Sequence, residues 1–366
     1  MSEQASRRGA RCLHVTDSHC HLHPSASTPS AADAGDAARA PQLSCSIKRA
    51  VVCGTHPNID WGLIETAAQS AAPPTAGASN DVIIPGFGIH PWFVPNDQQQ
   101  QQVSDDAANG GINSNNSRGP AEGSALAGAG SAPGEVSQQS EAELLRLLED
   151  ALRRHPRAIV GEIGLDKLRG PPECVQLPFF VAQMKLAARY GRPVSVHCVR
   201  SFGAMLKVLQ GLAVEDTPPA IVLHGFTGSL DFVKSAMMIR KRPLAPLHGS
   251  RGTPKSLPLR LFFGVGAGTS LRVKNFASKT LPFLLQERRA LLETDAHHTF
   301  LLRDGADVAG AGGDIAWNRA GCGQLAEVIA LAGGGNAEAE DALLQGCEEA
   351  FVEAFSLQTA TEMAPV

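Results

Sequence analysis

The stretch "DSHCHLH", residues 17–23, sets His19, His21 and His23 at alternating positions. Side chains of a strand alternate between its faces, so these imidazoles share one face with Asp17, while Ser18, Cys20 and Leu22 face the other way. Same-face neighbours stand roughly 6–7 Å apart, close enough for two imidazoles to reach one cation. Further along, ligand-type residues interrupt or close apolar runs: His90 in "DVIIPGFGIH", Glu162 in "AIVGEIGLD", His197 in "PVSVHC", His224 in "AIVLHGF" and Asp295 in "ALLETDAH". Each alone has an ordinary reading: His19, His21 and His23 as surface histidines of a polar strand end, and a lone strand-end histidine such as His197 as a hydrogen-bonded core residue. Together they have a less ordinary one. His19, His21, His197 and His224, with Glu162 and Asp295, are hard to satisfy around one point without cations, because buried carboxylates are costly to leave unpaired. Imidazole plus carboxylate is the ligand set of Zn, Mn, Fe, Ni and similar ions, and six ligands fit two ions better than one.

Such convergence needs a scaffold that gathers strand ends. Short apolar, β-rich runs occur at 12–20, 49–54, 81–90, 158–166, 193–198, 220–226, 259–266 and 290–297. Most are near-continuous Val/Ile/Leu runs, the pattern of strands buried on both faces of a parallel sheet. Helical patterns lie between them. Residues 140–155 open on a Ser140-x-x-Glu143 capping box, and 177–191 is amphipathic and stops at Gly191. Helices are also predicted at 201–212, 230–241 and 275–288, and from about Ala337 to Leu357. Eight strands alternating with helices predict an α/β fold of the (β/α)8 TIM-barrel type, whose active site lies at the C-terminal strand ends. An open doubly wound sheet is the alternative. Segments 24–41, 96–139 and 305–314 are of low complexity and poor in large apolar residues, and are read as surface insertions in a single domain over 1–366.

Composition narrows the function classes. A chain of 366 residues with a net charge of −4 has no overall field that draws in nucleic acid, so a phosphate-bearing substrate needs a local cationic site. The N-terminus has no apolar leader and no run is long enough to span a membrane, which points to a cytoplasmic or nuclear protein. Eight cysteines without a C-x-x-C pair suit free thiols. Cys20 and Cys198 flank ligand-type histidines but face away from them, so packing is their expected role. "GVGAG" (264–268) lacks the spacing of a phosphate loop and reads as a tight turn. No basic-aromatic strip for single-stranded DNA occurs, which argues against tight, sequence-tolerant binding.

The set "DSHCHLH", "GIHPW", "GEIGLD", "VSVHC", "VLHGFTGS" and "LLETDAHH", in that order, resembles the TatD-type metal-dependent hydrolases of the amidohydrolase superfamily, which include deoxyribonucleases. The helix carrying Gln176, Phe180, Gln183, Leu186 and Ala187 after "GEIGLD" strengthens it, and the long insertions resemble fungal-type members. The resemblance implies a TIM-type barrel with two divalent ions, Zn, Mg, Mn or similar. It implies His19, His21 and Asp295 on one ion, His197 and His224 on the other, and Glu162 bridging or shared. The implied reaction is hydrolysis of DNA phosphodiester bonds by a metal-bound hydroxide, with Glu162 and Asp295 as catalytic carboxylates and Asp295 as proton acceptor. His90 is implied at the rim, orienting phosphate or substrate, with Arg200 as a phosphate contact. Three positions depart from the pattern. His23 replaces a usual acidic or amide residue, His297–His298 replaces a proline-aromatic pair, and Val199 holds the place of an arginine, leaving Arg200 one position later. DNA is the expected partner, with no membrane and no obligate protein partner. Two other readings fit the same scaffold: hydrolysis of a non-nucleic-acid ester or amide, and a non-catalytic partner-binding barrel.

Overall fold

The structure, a computed structural model, describes residues 11–25, 43–70, 83–96, 139–241, 256–302 and 313–355. The expected insertions lie outside them except at their edges: Pro24 and Ser25 end the first strand, Asn96 and Gln139 flank the second insertion, and Gly313 and Asp314 begin the last strand. Eight parallel strands form the frame: β1 (Arg11–Ser25), β2 (Leu43–Cys53), β3 (Ile83–Phe87), β4 (Ile159–Asp166), β5 (Val194–Val199), β6 (Ile221–Leu223), β9 (Leu261–Val265) and β10 (Ala290–Leu292). Each overlaps a run that the sequence singled out, although β1 extends past 12–20 at both ends and β2 begins six residues before 49–54. A short antiparallel pair, β7 (Arg240–Lys241) with β8 (Leu257–Pro258), lies apart from them.

The parallel series runs β10-β9-β6-β5-β4-β3-β2-β1, and its two ends meet. The segment after β10 bonds to the end of β1, through Asp295 N–H to His19 O (3.0 Å) and His21 N–H to Ala296 O (2.9 Å). This seam supports the barrel over the open sheet. Beyond it, β11 (His297–Leu302) continues along β1 and pairs with β12 (Gly313–Ala316), a hairpin that the sequence reading did not foresee.

Helices pack around the ring. They are α1 (Gly62–Ser70), α2 (Glu141–Arg154), α3 (Glu173–Arg189), α4 (Phe202–Gly211), α5 (Leu230–Met237), α6 (Leu281–Gln286), α7 (Arg319–Gly333) and α8 (Ala337–Phe355). The predicted capping box is formed, with the Ser140 hydroxyl accepting from Glu143 N–H. The helix expected over 275–288 is split into a π-turn at Phe276–Thr280 and α6, where Pro282 lacks an N–H to continue the ladder. Helices α1 and α7 escaped the sequence reading. None of the helices among the described residues is long and apolar enough to cross a membrane.

Two apolar clusters divide the core. The larger fills the space between strands and helices. The smaller gathers inward-facing Val51, Ile159, Val222, Phe262 and Leu291 from five strands, and Phe351 and Phe355 of α8 pack into it. The C-terminal helix therefore stoppers the ring at the end opposite the strand C-termini. Ion pairs at 2.8 Å or less, Arg288 to Glu349 and Arg289 to Glu353, fasten α8 to the turn before β10.

Candidate metal centre

Glycine spacing lets the strands close in around the site. Gly164 of "GEIGLD" has φ +149°, and an added Cβ there would lie 2.0 Å from the His197 carbonyl oxygen. Only glycine permits both the backbone angle and that approach. Gly264 of "GVGAG" likewise leaves room for Glu293, whose Oε2 sits 1.7 Å from where its Cβ would be. That motif is a strand-end turn shaped around a buried carboxyl.

Glu162, only 3% exposed, lies at the centre of the strand ends. Its two oxygens face different partners. Oε2 lies 3.5 Å from His19 Nε2 and 3.4 Å from His21 Nε2, which are 3.3 Å from each other. Oε1 lies 2.8 Å from His197 Nδ1, 2.7 Å from His224 Nε2 and 3.2 Å from His90 Nε2. Asp295 approaches the first pair, with Oδ1 3.7 Å from His21 Nε2 and 4.0 Å from His19 Nε2. Asp295 has φ +51°, a left-handed turn directly after the strand that a short polar side chain tolerates. All six residues expected to converge do so, on the ends of β1, β4, β5, β6 and β10.

The outer nitrogens of these rings set which atom faces inward. Cys53 O lies 2.9 Å from His21 Nδ1, and an N–H donated there leaves Nε2 with a free lone pair. Asp166 Oδ2 holds His197 Nε2 at 3.1 Å, turning Nδ1 towards Glu162. Ser195 Oγ meets His19 Nδ1 at 2.8 Å. Such outer partners are the ones that orient metal-binding histidines. The His224 ring stacks on that of His19 with centroids 3.7 Å apart, and its Nδ1 is buried without a partner.

His90 behaves differently. Its Nδ1 accepts the Trp92 N–H at 3.2 Å, so Nε2 carries the proton and donates to Glu162. It is 3% exposed, deeper than the rim position implied by the resemblance, because the turn it caps tucks the ring under Trp92. Arg200 does stand at the rim. It is exposed, with φ +52° in the turn that follows β5.

Charge is unevenly spread over the cluster. Burial and the neighbouring His224 push His19 down to about 3, which keeps its ring neutral. Burial alone lowers His21 and His197, but Asp295 and Glu162 beside the first, and Asp166 and Glu162 beside the second, reverse this and hold both at about 9. Burial raises Glu162, yet the surrounding histidines outweigh it and keep the carboxylate ionised. Asp295 is held near 2 in the same way, chiefly by His21. Burial, with the Asp295 charge adding to it, pushes Glu293 well upward.

Asp17 does not share the face of His19 and His21. A register irregularity between Asp17 and Cys20 breaks the strict alternation, so Asp17 points to the seam. There it accepts Thr294 N–H (3.0 Å), Thr294 Oγ1–H (2.6 Å) and His19 N–H (3.2 Å). Asp17, Cys20 and His298 also stand close enough together to suggest a second cation site. The His298 Nδ1 accepts Asn318 N–H at 2.9 Å, so its Nε2 carries the proton and cannot ligate. This group is a clamp. His23 is exposed and outside the cluster.

Sequence reasoning missed Asp166, Ser195 and Asp17 as supports of the site. Gln176 and Gln183 stand out in the sequence, but their role is visible only in the fold. Both are buried amides of α3 that pair with backbone: Gln183 with Ile89 N–H and C=O (2.9 and 3.0 Å), Gln176 with Asp166 N–H and C=O (2.7 and 2.8 Å). Each staples the end of a strand beside a site residue.

Two nitrogen–oxygen groupings within this cluster have ligand atoms close enough to share an ion, His19, His21 and Glu162, and His19, His224 and Asp295; a third, His90, Glu162 and His197, includes a ring whose inward nitrogen carries a proton. With His224 Nδ1 orphaned and several imidazoles crowded on one carboxylate, the donor set fits divalent cations.

The family model of TatD-related DNases matches residues 16–296. Cut9-interacting protein scn1 of Schizosaccharomyces pombe is 25% identical, over 77% of this chain and 87% of that protein. The 3'-5' ssDNA/RNA exonuclease TatD of Musicola paradisiaca is 30% identical, over 46% of this chain and 55% of that one. This chain matches about half the length of each such exonuclease. Among solved structures, YJJV, a TatD homolog of Escherichia coli K12, is 22% identical with a TM-score of 0.47, over 85% of this chain and 88% of that one. The family match covers well over half of the chain and spans every strand end that carries a clustered side chain: the chain belongs to the TatD-related DNase family of metal-dependent hydrolases.

Proposed function

We propose that the protein is a divalent-metal-dependent deoxyribonuclease that cleaves DNA phosphodiester bonds, working as a single barrel over the whole chain. The carrying observation is the Glu162 carboxylate, one oxygen turned to the His19–His21 pair and the other to His197 and His224. That is the disposition of a carboxylate shared between two cations. In this reading His19, His21 and Asp295 would hold one ion and His197 and His224 the other, with Glu162 available to both; the metal, whether Zn, Mg, Mn or similar, would be set by availability. Bound ions supply Lewis acidity, polarising phosphate oxygens and acidifying a water molecule. Asp295, ionised and at the open side of the cluster, accepts the proton of the attacking water. His90 donates to Glu162 and so orients it, and Arg200 at the rim meets a phosphate. Eight free thiols support a reducing compartment, the cytoplasm or nucleus.

The test is hydrolysis of single- and double-stranded DNA with and without chelator, alongside bound-metal analysis. The expected outcome is metal-dependent cleavage that falls at least about a hundred-fold in Glu162→Gln, a loss typical of disrupted charge stabilisation at a reaction centre. Full activity in chelator or in Glu162→Gln overturns the reading. The name of scn1, and its match over most of its length, favour a second reading, a partner-binding barrel. Metal binding without turnover of any DNA, ester or amide would select that one.

A further inference from the structure

The sector of the rim beside His197 carries a group of side chains of which the proposed chemistry uses only Arg200. Trp92 is 39% exposed, and its position is fixed by its indole N–H, which donates to Asp166 Oδ2 at 2.7 Å. The same carboxylate oxygen holds His197, whose ring centroid is 6.2 Å from that of Trp92. Asp166 Oδ1 accepts the N–H groups of Leu168 and Arg169, shaping the loop after β4. In that loop Gly170 has φ +78° and rests against the backbone of Pro91 and Trp92. Arg169 thereby stands over the indole, its guanidinium carbon 4.9 Å from the ring centroid. Lys167, whose N–H bonds to Val199 O, lies beside the β5 turn that presents Arg200. Lys167, Arg169 and Arg200 are all exposed, and none has an ion pair among the described residues.

We infer that Trp92, Arg169, Lys167 and Arg200 form a platform for a single-stranded nucleic acid, one base stacked on Trp92 and the flanking phosphates held by the three cations. This rests on the nuclease reading and specifies how its substrate is held. An unpaired base presents a π-face to an exposed ring, whereas a duplex base is already stacked on both sides. Arginine planes and indoles both stack bases, so the unpaired guanidinium of Arg169 covers the ring in the free protein and exchanges with, or lies upon, an incoming base. The cations supply locally the positive field that a chain of net charge −4 lacks overall. No sequence window reveals the platform, because its members come from the ends of β3, β4 and β5.

Fluorescence anisotropy of the full-length protein with a labelled ten-nucleotide single strand, in chelator to stop cleavage, tests this against an abasic strand of equal length and charge. Wild type is expected to prefer the strand with bases by roughly five- to a hundred-fold, the span for one base on an aromatic ring. Trp92→Ala removes that preference and leaves abasic affinity unchanged. Trp92→Phe, which keeps a ring but releases Asp166, retains most of it. Lys167→Ala and Arg200→Ala weaken both strands alike and each lowers the salt slope by about one phosphate. A preference that is absent in wild type, persists in Trp92→Ala, or is exceeded by affinity for duplex overturns the platform. If metal-loaded protein still cleaves DNA in that case, the nuclease reading stands without it. If DNA is neither bound nor cleaved, both fall.

Discussion

At the scale of single residues, the site is a set of side chains whose second atoms are already spoken for. His21 leans on a carbonyl, His197 on Asp166 and His19 on Ser195, leaving one nitrogen of each to face Glu162. Asp17 takes the same supporting role for backbone at the seam. Asp17→Asn exchanges an acceptor-only group for one that must donate among three donors, and is expected to cost about 1–3 kcal/mol in urea unfolding and to lower bound metal. The candidate ligands were legible in the sequence because each breaks an apolar run with a residue that burial penalises. Unbroken alternation along β1 puts Asp17 on the wrong face, because a register irregularity leaves no trace in residue types. His90 was placed too near the surface, since its depth depends on a turn closing over it.

At the scale of elements, the eight strands were readable because parallel strands buried on both faces spell themselves as apolar runs. The hairpin β11–β12 was not, as its first strand opens on His297, His298 and Thr299, which have no such signature. Helix α3 shows what periodicity leaves out. Its amphipathic face was visible, but the reason two glutamines sit on that face is the pair of strand ends they grip. Gln183→Leu keeps volume and apolar packing while stranding Ile89 N–H and C=O. A loss of about 1–3 kcal/mol in chemical denaturation is expected, with cleavage reduced through a displaced His90. Stability equal to wild type would show that water satisfies those groups. At the other end of the barrel, Phe351→Ala in α8 empties the stopper of the inner cluster and should cost about 3–5 kcal/mol, read from the same titration.

For the molecule as a whole, binding of ions to the native ring alone couples metal to stability. A divalent cation at a hundred times its Kd should add about 2.7 kcal/mol, seen as a rise in Tm that chelator reverses. A Tm indifferent to Zn, Mn and Mg would mean that the clustered imidazoles bind none of them. Overall architecture followed from the alternation of runs, whereas ring closure was visible only in space, in the bonds from residues 295 and 296 to β1. Those bonds join the first strand to the segment that follows the eighth parallel strand, and Asp295 lies on the seam itself. Synthesis proceeds from one edge of that seam to the other, so the growing polypeptide carries His19 and His21 through some 270 residues of translation before their partner emerges. Until then neither the seam bonds nor the Asp295 carboxylate exist, so the ring is completed late in synthesis.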